Sequence, residues 1–305
     1  MPKTFRRYLA YAVTVIAAVS ASSHGPRAAQ PETTVSLRFA VIGDSGTGEK
    51  AQYEVAAVMA TTRSRLPFEL VVMLGDNVYG GWSRTAAVER FERPYKPLLD
   101  AGVRFYASLG NHDEADERSY APFHMDGQRY YTFTRSDVDF FALDSNYMDR
   151  SQLLWLEQHL QASRARWKLA FFHHPLYSSA ERHGSEKDLR RLLEPLLIQY
   201  GVQVVLSGHD HVYERINPQH GITYFVCGSS GQLRRGNLER GSGLTAAGFD
   251  RDRTFIVMEA AADTLSFQAI SRTSTVVDSG HINWTARASR SKGADLNHHE
   301  ARLVP

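Results

Sequence analysis

Five short clusters of Asp, Asn and His recur along the chain: Gly43-Asp44-Ser45-Gly46, Gly75-Asp76-Asn77, Gly110-Asn111-His112-Asp113, His173-His174-Pro175 and Gly208-His209-Asp210-His211. Their oxygen and nitrogen donors suit iron, manganese or zinc, and with no sulfur among them they argue against copper(I) or an iron–sulfur cluster. Taken singly, most have ordinary explanations. Asp44 and Asp76-Asn77 fit turn residues, and Asn111-His112-Asp113 fits a helix cap. Of His173 and His174, at least one is expected to be structural. Only the Gly-His-Asp-His run is unusual by itself. In an extended segment, residues two apart point the same way, so His209 and His211 are expected to reach one metal cluster together. Gly208 would allow the backbone to approach the site closely.

What joins the clusters is position. Each follows an apolar segment with strand character: Ser36 to Ile42, Leu70 to Leu74, Val103 to Leu109, Trp167 to Phe172 and Val202 to Leu206. Helical periodicity separates them over Ala51 to Arg63, Thr85 to Leu99 (with interruptions expected at Pro94 and Pro97), Gln152 to Ala162 and Leu189 to Tyr200. Arg129 to Phe133 and Val138 to Leu143 read as an antiparallel pair. Strands at Ile222 to Val226, Thr254 to Glu259, Thr264 to Ile270 and Thr273 to Val277 complete the pattern. The mixture predicts an α/β fold, a two-sheet α/β/β/α sandwich in one domain. In open α/β sheets, ligands bind at the carboxyl ends of the strands. Five such ends would bring Asp44, Asp76, Asn111, His173, His209 and His211 together.

The ordered clusters, with the second extended to Val78-Tyr79 and the fourth preceded by Phe172, resemble those of the calcineurin-like metallophosphoesterases. Within these, the chain looks most like a small single-domain purple acid phosphatase. The resemblance spans roughly residues 36 to 270. Many members have His two residues after the first Asp, where this chain has Gly46. Tyr79, three residues after Asp76, matches the tyrosine that purple acid phosphatases use in its place. The resemblance implies two metal ions, Fe(III) paired with Fe(II), Zn(II) or Mn(II). Asp44, Asp76, Tyr79 and His211 would hold one, and Asp76, Asn111, His173 and His209 the other, with Asp76 bridging. It further implies attack by a metal-bound hydroxide on phosphate monoesters. His112 would stabilise charge or protonate the leaving oxygen, and His183 resembles a loop histidine that assists protonation. Asp113 is placed to orient His112, or to serve as a cap or surface carboxylate. His174 is left as structural or adjacent to the ligands, and Tyr213, Glu214 and Arg215 receive no role.

Composition bounds the rest. Hydrophobic residues make up 43% and charged residues 22% of 305, which excludes a disordered chain. Lys and Arg total 35 against 33 Asp and Glu, so bulk charge gives no case for nucleic-acid binding. The one cysteine, Cys227, cannot form an intrachain disulfide and lies in an apolar run. Lys3, Arg6 and Arg7 precede an apolar run from Tyr8 to Ala21 that is short for a membrane span, so residues 1–21 read as a signal peptide. Residues 22–34 read as a linker, 35–285 as the catalytic domain and 286–305 as a polar tail. The expected protein is periplasmic or secreted, acts on a small phosphate ester, binds no nucleic acid and keeps no stable membrane association once the signal is cleaved. Nothing in the sequence sets an oligomeric state. A phosphodiesterase or pyrophosphatase on the same scaffold is the alternative activity, and a catalytically silent metal- or phosphate-binding protein the alternative class.

Overall fold

A computed structural model of the chain describes residues 36–284. The expected signal peptide, the linker and the polar tail lie outside the described residues.

Two mixed sheets form. The first runs in the order β13 (Val276–Asn283), β12 (Thr264–Ser271), β11 (Thr254–Ala261), β1 (Leu37–Ile42), β2 (Leu70–Leu74), β3 (Arg104–Ser108). Its last three strands are parallel, and the others antiparallel. The second runs β10 (Thr245–Phe249), β8 (Tyr213–Ile216), β9 (Thr223–Cys227), β7 (Val204–Ser207), β6 (Trp167–Phe171), β5 (Val138–Ala142), β4 (Tyr131–Arg135). Here β9, β7, β6 and β5 are parallel.

Alternation along each strand builds the layers. In β1, Leu37, Phe39 and Val41 face a core that also holds Phe140, Trp167, Leu169, Phe171, Leu206 and Phe225 of the second sheet. Ala40 and Ile42 belong instead to a core with Val55 and Met59 of α1 (Lys50–Arg65), and with Tyr95 and Leu98 of α3 (Arg93–Asp100), which follows α2 (Arg84–Ala87). On the far side, Leu156 and Leu160 of α4 (Arg150–Ala162) and Leu193 and Leu197 of α5 (Lys187–Gln199) pack with Ala170 and Val205 of the second sheet. Strands covered on both faces read as unbroken apolar runs. The α/β/β/α sandwich is the architecture expected.

Three details differ from expectation. Pro94 and Pro97 do not interrupt the second helical segment. The irregularity comes earlier, as a π turn at Val88–Glu92. Arg93 N–H closes onto Val88 O, and Pro94 has no N–H to offer Arg90 O. Gln52 Nε2 donates to that carbonyl at 2.6 Å, and Tyr53 Oη donates to Glu89 O at 3.3 Å. The last strand begins at Val276, because residues 271–275 form a turn closed by Ser271 N to Thr275 O. Strands β8 and β10 were not expected at all. Cys227 is free and buried, as its apolar surroundings suggested. No helix among the described residues is long and apolar enough to cross a membrane.

Candidate metal centre

The carboxyl ends of β1, β2 and β3 in one sheet, and of β6 and β7 in the other, deliver their polar clusters to one place. Backbone bonds lash the loops together: Asp44 N to Gly75 O at 3.0 Å, and Gly208 N to His173 O at 2.9 Å. His209 N donates to Asp44 Oδ2 at 2.9 Å, which ties the two sheets. Asp44, Asp76 and His209 adopt left-handed backbone, at φ of 51°, 52° and 67°. Non-glycine residues rarely hold this conformation, and it clusters at functional sites.

The side chains fall into two groups. In the first, Tyr79 Oη lies 3.3 Å from Asp44 Oδ1 and 3.4 Å from His211 Nε2, and His211 Nε2 lies 3.3 Å from Asp44 Oδ1. In the second, His173 Nε2 lies 3.0 Å from Asn111 Oδ1, 3.1 Å from His209 Nδ1 and 3.5 Å from Asp76 Oδ1. Oxygen or nitrogen atoms of Asp44, Asp76 and His173 are all within 4.8 Å of one another, so Asp76 stands beside a member of each group. Donors about 2.1 Å from a shared cation stand roughly 3.0–3.4 Å apart in octahedral or tetrahedral arrangements. The observed separations are of that size.

The chemistry of these donors fits cations better than it fits hydrogen bonds. His173 Nδ1 lies 2.9 Å from Leu74 O, a pure acceptor, so Nδ1 carries the proton and Nε2 a lone pair. That lone pair meets the Asn111 carbonyl oxygen. Such a backbone contact is the usual way of fixing the tautomer of a metal-ligating histidine. Asp44 and Asp76 are fully buried beside each other, and neither has a Lys or Arg partner among the described residues. Burial and then Asp76 push the Asp44 carboxyl well above its ordinary range. Burial and then His174 hold His173 well below the ordinary imidazole range. His209 is pushed down to about 2 by burial and then His173, and His211 to about 4 by burial and then Arg234. Neutral imidazoles and unneutralised carboxylates at one point are a ligand set for two metal ions.

Two glycines show how close the fit is. A Cβ at Gly208 would lie 2.5 Å from Asp44 Oδ2, so the close approach expected there is real. A Cβ at Gly46 would lie 1.9 Å from Asn77 O. Gly46 N bonds Asp76 O at 3.2 Å and Tyr79 N bonds Gly46 O at 3.0 Å, so the loop carrying Tyr79 fills the space a histidine would need. Absence of His at position 46 and presence of Tyr79 are one structural fact.

The remaining expected residues also arrive. The exposed His112 donates its backbone N–H to Asp76 Oδ1 at 3.0 Å, with its ring 5.0 Å from that of Tyr79. His183 is exposed, with its ring 4.2 Å from that of His209. His209 and His211 do reach the cluster together, but not by strand alternation. The left-handed turn at His209 bends the segment, and the buried Asp210 points away to Ser178 Oγ at 2.6 Å and Gly184 N at 3.2 Å. Asp113 does not orient His112. Its carboxylate accepts from Asn77 N, Val78 N, Asn77 Nδ2 and Gly110 N at 2.6, 3.1, 2.8 and 2.8 Å, clamping the loop after β2 to the loop after β3. His174 stands within ligand distance of His173 and His209, and its Nδ1 is 2.8 Å from Ser145 Oγ. Glu214, given no role from sequence, is buried and binds Ser179 N and Oγ at 2.9 and 2.6 Å. With Asp210 it fixes the loop that carries His183. A hydroxyl-rich Ser178-Ser179 facing acidic residues after the last motif is the signal that was there to find. Beside Asn111 and His174, a cleft of about 530 Å³ opens, lined by Arg118, Arg129, Ser145, Asn146 and Tyr147 among others.

A two-sheet sandwich with paired Asp and His donors at its strand ends defines a dinuclear phosphoesterase scaffold. Residues 37–213 match the calcineurin-like phosphoesterase family, and the chain belongs to that family. It is 27% identical over 239 residues to tartrate-resistant acid phosphatase type 5 of Oryctolagus cuniculus, covering 64% of this chain and 73% of the relative. Purple acid phosphatase 17 of Arabidopsis thaliana is 28% identical over 240 residues, covering 67% and 71%. Among solved structures, GAP50, the anchor in the inner membrane complex of Plasmodium, superposes with a TM-score of 0.70 at 22% identity, over 83% of this chain and 90% of that one. Purple acid phosphatase PPD1 from yellow lupin (Lupinus luteus) seeds also gives 0.70, at 17% identity, over 83% and 55%. These two likenesses are of fold.

Proposed function

We propose that this chain is an exported phosphomonoesterase of the purple acid phosphatase kind. Asp44, Asp76, Tyr79 and His211 would hold one cation, and Asp76, Asn111, His173 and His209 a second, with iron(III) on the Tyr79 side. Bound there, the two cations would supply Lewis acidity for the phosphate oxygens and an acidified water as nucleophile. The protein's own side chains do the rest. Asp76 would serve both cations, because a carboxylate has two oxygens to offer. His112 is anchored through its backbone to that carboxylate, and its exposed ring would give a proton to the leaving oxygen. His183 flanks the second group on a loop fixed by Asp210 and Glu214. The cleft beside Asn111 gives the organic part of the ester a place to lie.

The observation that carries this reading is the meeting of Asn111 Oδ1 and His209 Nδ1 at His173 Nε2, at 3.0 and 3.1 Å, next to two buried carboxylates. The likeness to acid phosphatases of animals and plants supports the subgroup. The apolar run before Ala21 supports export, and N-terminal sequencing of the mature protein should begin near Ser22. The reaction is tested by turnover of p-nitrophenyl phosphate against bis(p-nitrophenyl) phosphate across pH. The monoester should be favoured by at least about tenfold in kcat/KM, a difference of roughly 1.4 kcal/mol. Preference for the diester, or turnover of neither, would overturn the proposal.

A further inference from the structure

Two guanidinium groups flank the metal centre without a partner. Arg182 immediately precedes His183, and Arg234 donates its backbone N–H to His211 O at 2.9 Å. Their segments are bound to each other by Glu181 N to Asn237 O at 2.8 Å, Glu239 N to Ser179 O at 2.9 Å and a bridge between Ala180 and Leu238. Neither guanidinium makes an ion pair or hydrogen bond to any described residue. The nearby acid, Asp210, is turned away onto Ser178 and Gly184. Both residues are anchored at the site: Arg234 through its bond to His211 O, and Arg182 beside His183, whose ring lies 4.2 Å from that of His209.

Two arginines of like sign, carried on paired segments and without a counter-charge among the described residues, favour an anion between them. Several half-buried arginines elsewhere are paired, Arg38 with Glu259, Arg215 with Asp278 and Arg272 with Asp252, whereas the half-buried Arg234 is not. Two metal ions at the centre would already answer the charge of the phosphate being hydrolysed, so further cations on one flank would serve a further anion. Guanidinium suits this task, because its fork matches phosphate and carboxylate oxygens in pairs.

We propose that Arg182 and Arg234 form a subsite for a second anionic group, a phosphate or a carboxylate, on the substrate of the metal centre. This inference rests on the phosphatase reading and narrows it. The preferred substrates are phosphate esters or anhydrides that bear another anion within a few bonds of the phosphate attacked.

The test is calorimetric binding to the zinc-loaded protein, which needs no turnover. Propylphosphonate carries one anionic group, while 3-phosphonopropionate and 1,3-propanediphosphonate carry two. Wild type should bind at least one of the two-anion ligands about tenfold more tightly than propylphosphonate, the gain expected from one charged hydrogen-bonding pair. Arg182→Ala/Arg234→Ala should bring that ratio close to one while binding propylphosphonate about as before. Both residues lie outside the core clusters, so the variant should fold. A gain confined to the diphosphonate identifies phosphate as the second anion, and a gain shared by both ligands identifies either. No preference in wild type, a preference that survives the double substitution, or an equal loss in Arg118→Ala on the opposite flank would overturn the subsite. Protein that binds these ligands as expected yet turns over no phosphate ester would instead count against the phosphatase reading.

Discussion

Nε2 of His173 stands 3.0 Å from Oδ1 of Asn111, and each presents a lone pair to the other. Leu74 O, 2.9 Å from Nδ1, takes the only proton a neutral imidazole has. Two acceptors at that distance repel unless a positive charge lies between or beside them. His209 Nδ1 stands 3.1 Å from the same His173 Nε2, and in the other group Tyr79 Oη donates to Asp44 Oδ1 at 3.3 Å.

Tyr79 distinguishes the purple subgroup. Burial and then Asp44 and Asp76 push its phenol upward in the metal-free protein, so it holds its proton there. A trivalent cation would reverse this, since adjacent opposite charge favours the phenolate. Iron-loaded, oxidised protein should therefore show a visible charge-transfer band that Tyr79→Phe abolishes, with part of the activity kept. A band that persists in the variant would exclude Tyr79 as the ligand.

His112 should matter in proportion to the basicity of the leaving group. His112→Ala is expected to lower kcat by about 10²–10⁴-fold for alkyl phosphates and far less for p-nitrophenyl phosphate, whose phenolate needs little protonation. His183→Ala should act in the same direction but more weakly. Equal losses on both substrates, with metal content intact, would remove His112 from the proton-donor role.

Gly46 is where the subgroup is written into the backbone. With Asn77 O only 1.9 Å from any Cβ, Gly46→Ala must shift the loop that carries Tyr79. Overpacking of this kind costs on the order of 1–3 kcal/mol. A drop of several degrees in Tm and a weakened visible band should appear together. A variant as stable and as coloured as wild type would show that the two loops are not interlocked.

Glu117 gives a pH prediction away from the ligands. It is fully buried, its Oε2 has no hydrogen-bond partner, and burial followed by Asp113 raises its carboxyl to about 10. The folded state thus keeps a proton that the unfolded chain releases above its ordinary value of 4.5. The stability this group contributes is full below that value and is lost as pH rises toward 10. Glu117→Gln removes the titration. It should match wild type near pH 4.5 and exceed it by about 2 °C or more in Tm near pH 8.5. A difference that is constant with pH would show Glu117 to be ionised in the folded protein.

Much of this was legible in the sequence for a physical reason. Strands buried on both faces are continuous apolar runs, and a run that stops at Gly-Asp or Gly-His marks both a strand end and a polar edge. That exposed β1, β2, β3, β6 and β7 and six of the clustered donors, while Tyr79 came from the resemblance. Edge elements carry no such contrast. β8 contains Glu214 and Arg215, and β10 is Thr-Ala-Ala-Gly-Phe, so neither stands out from a loop. The start of β13 was misplaced because that strand is largely exposed. Asp113 and Glu214 were illegible because their partners are backbone amides and hydroxyls 30 or more residues away. The bend at His209 depends on a left-handed φ that no neighbouring residue type announces.

The central claim is that Asp76 joins two groups of donors into one dinuclear centre. Elemental analysis of the purified protein tests it most directly, comparing wild type with Asp76→Ala. The account predicts about two metal ions per wild-type chain and loss of both in the variant, because Asp76 alone belongs to each group. One tightly bound metal in wild type, or two retained in Asp76→Ala, would contradict it.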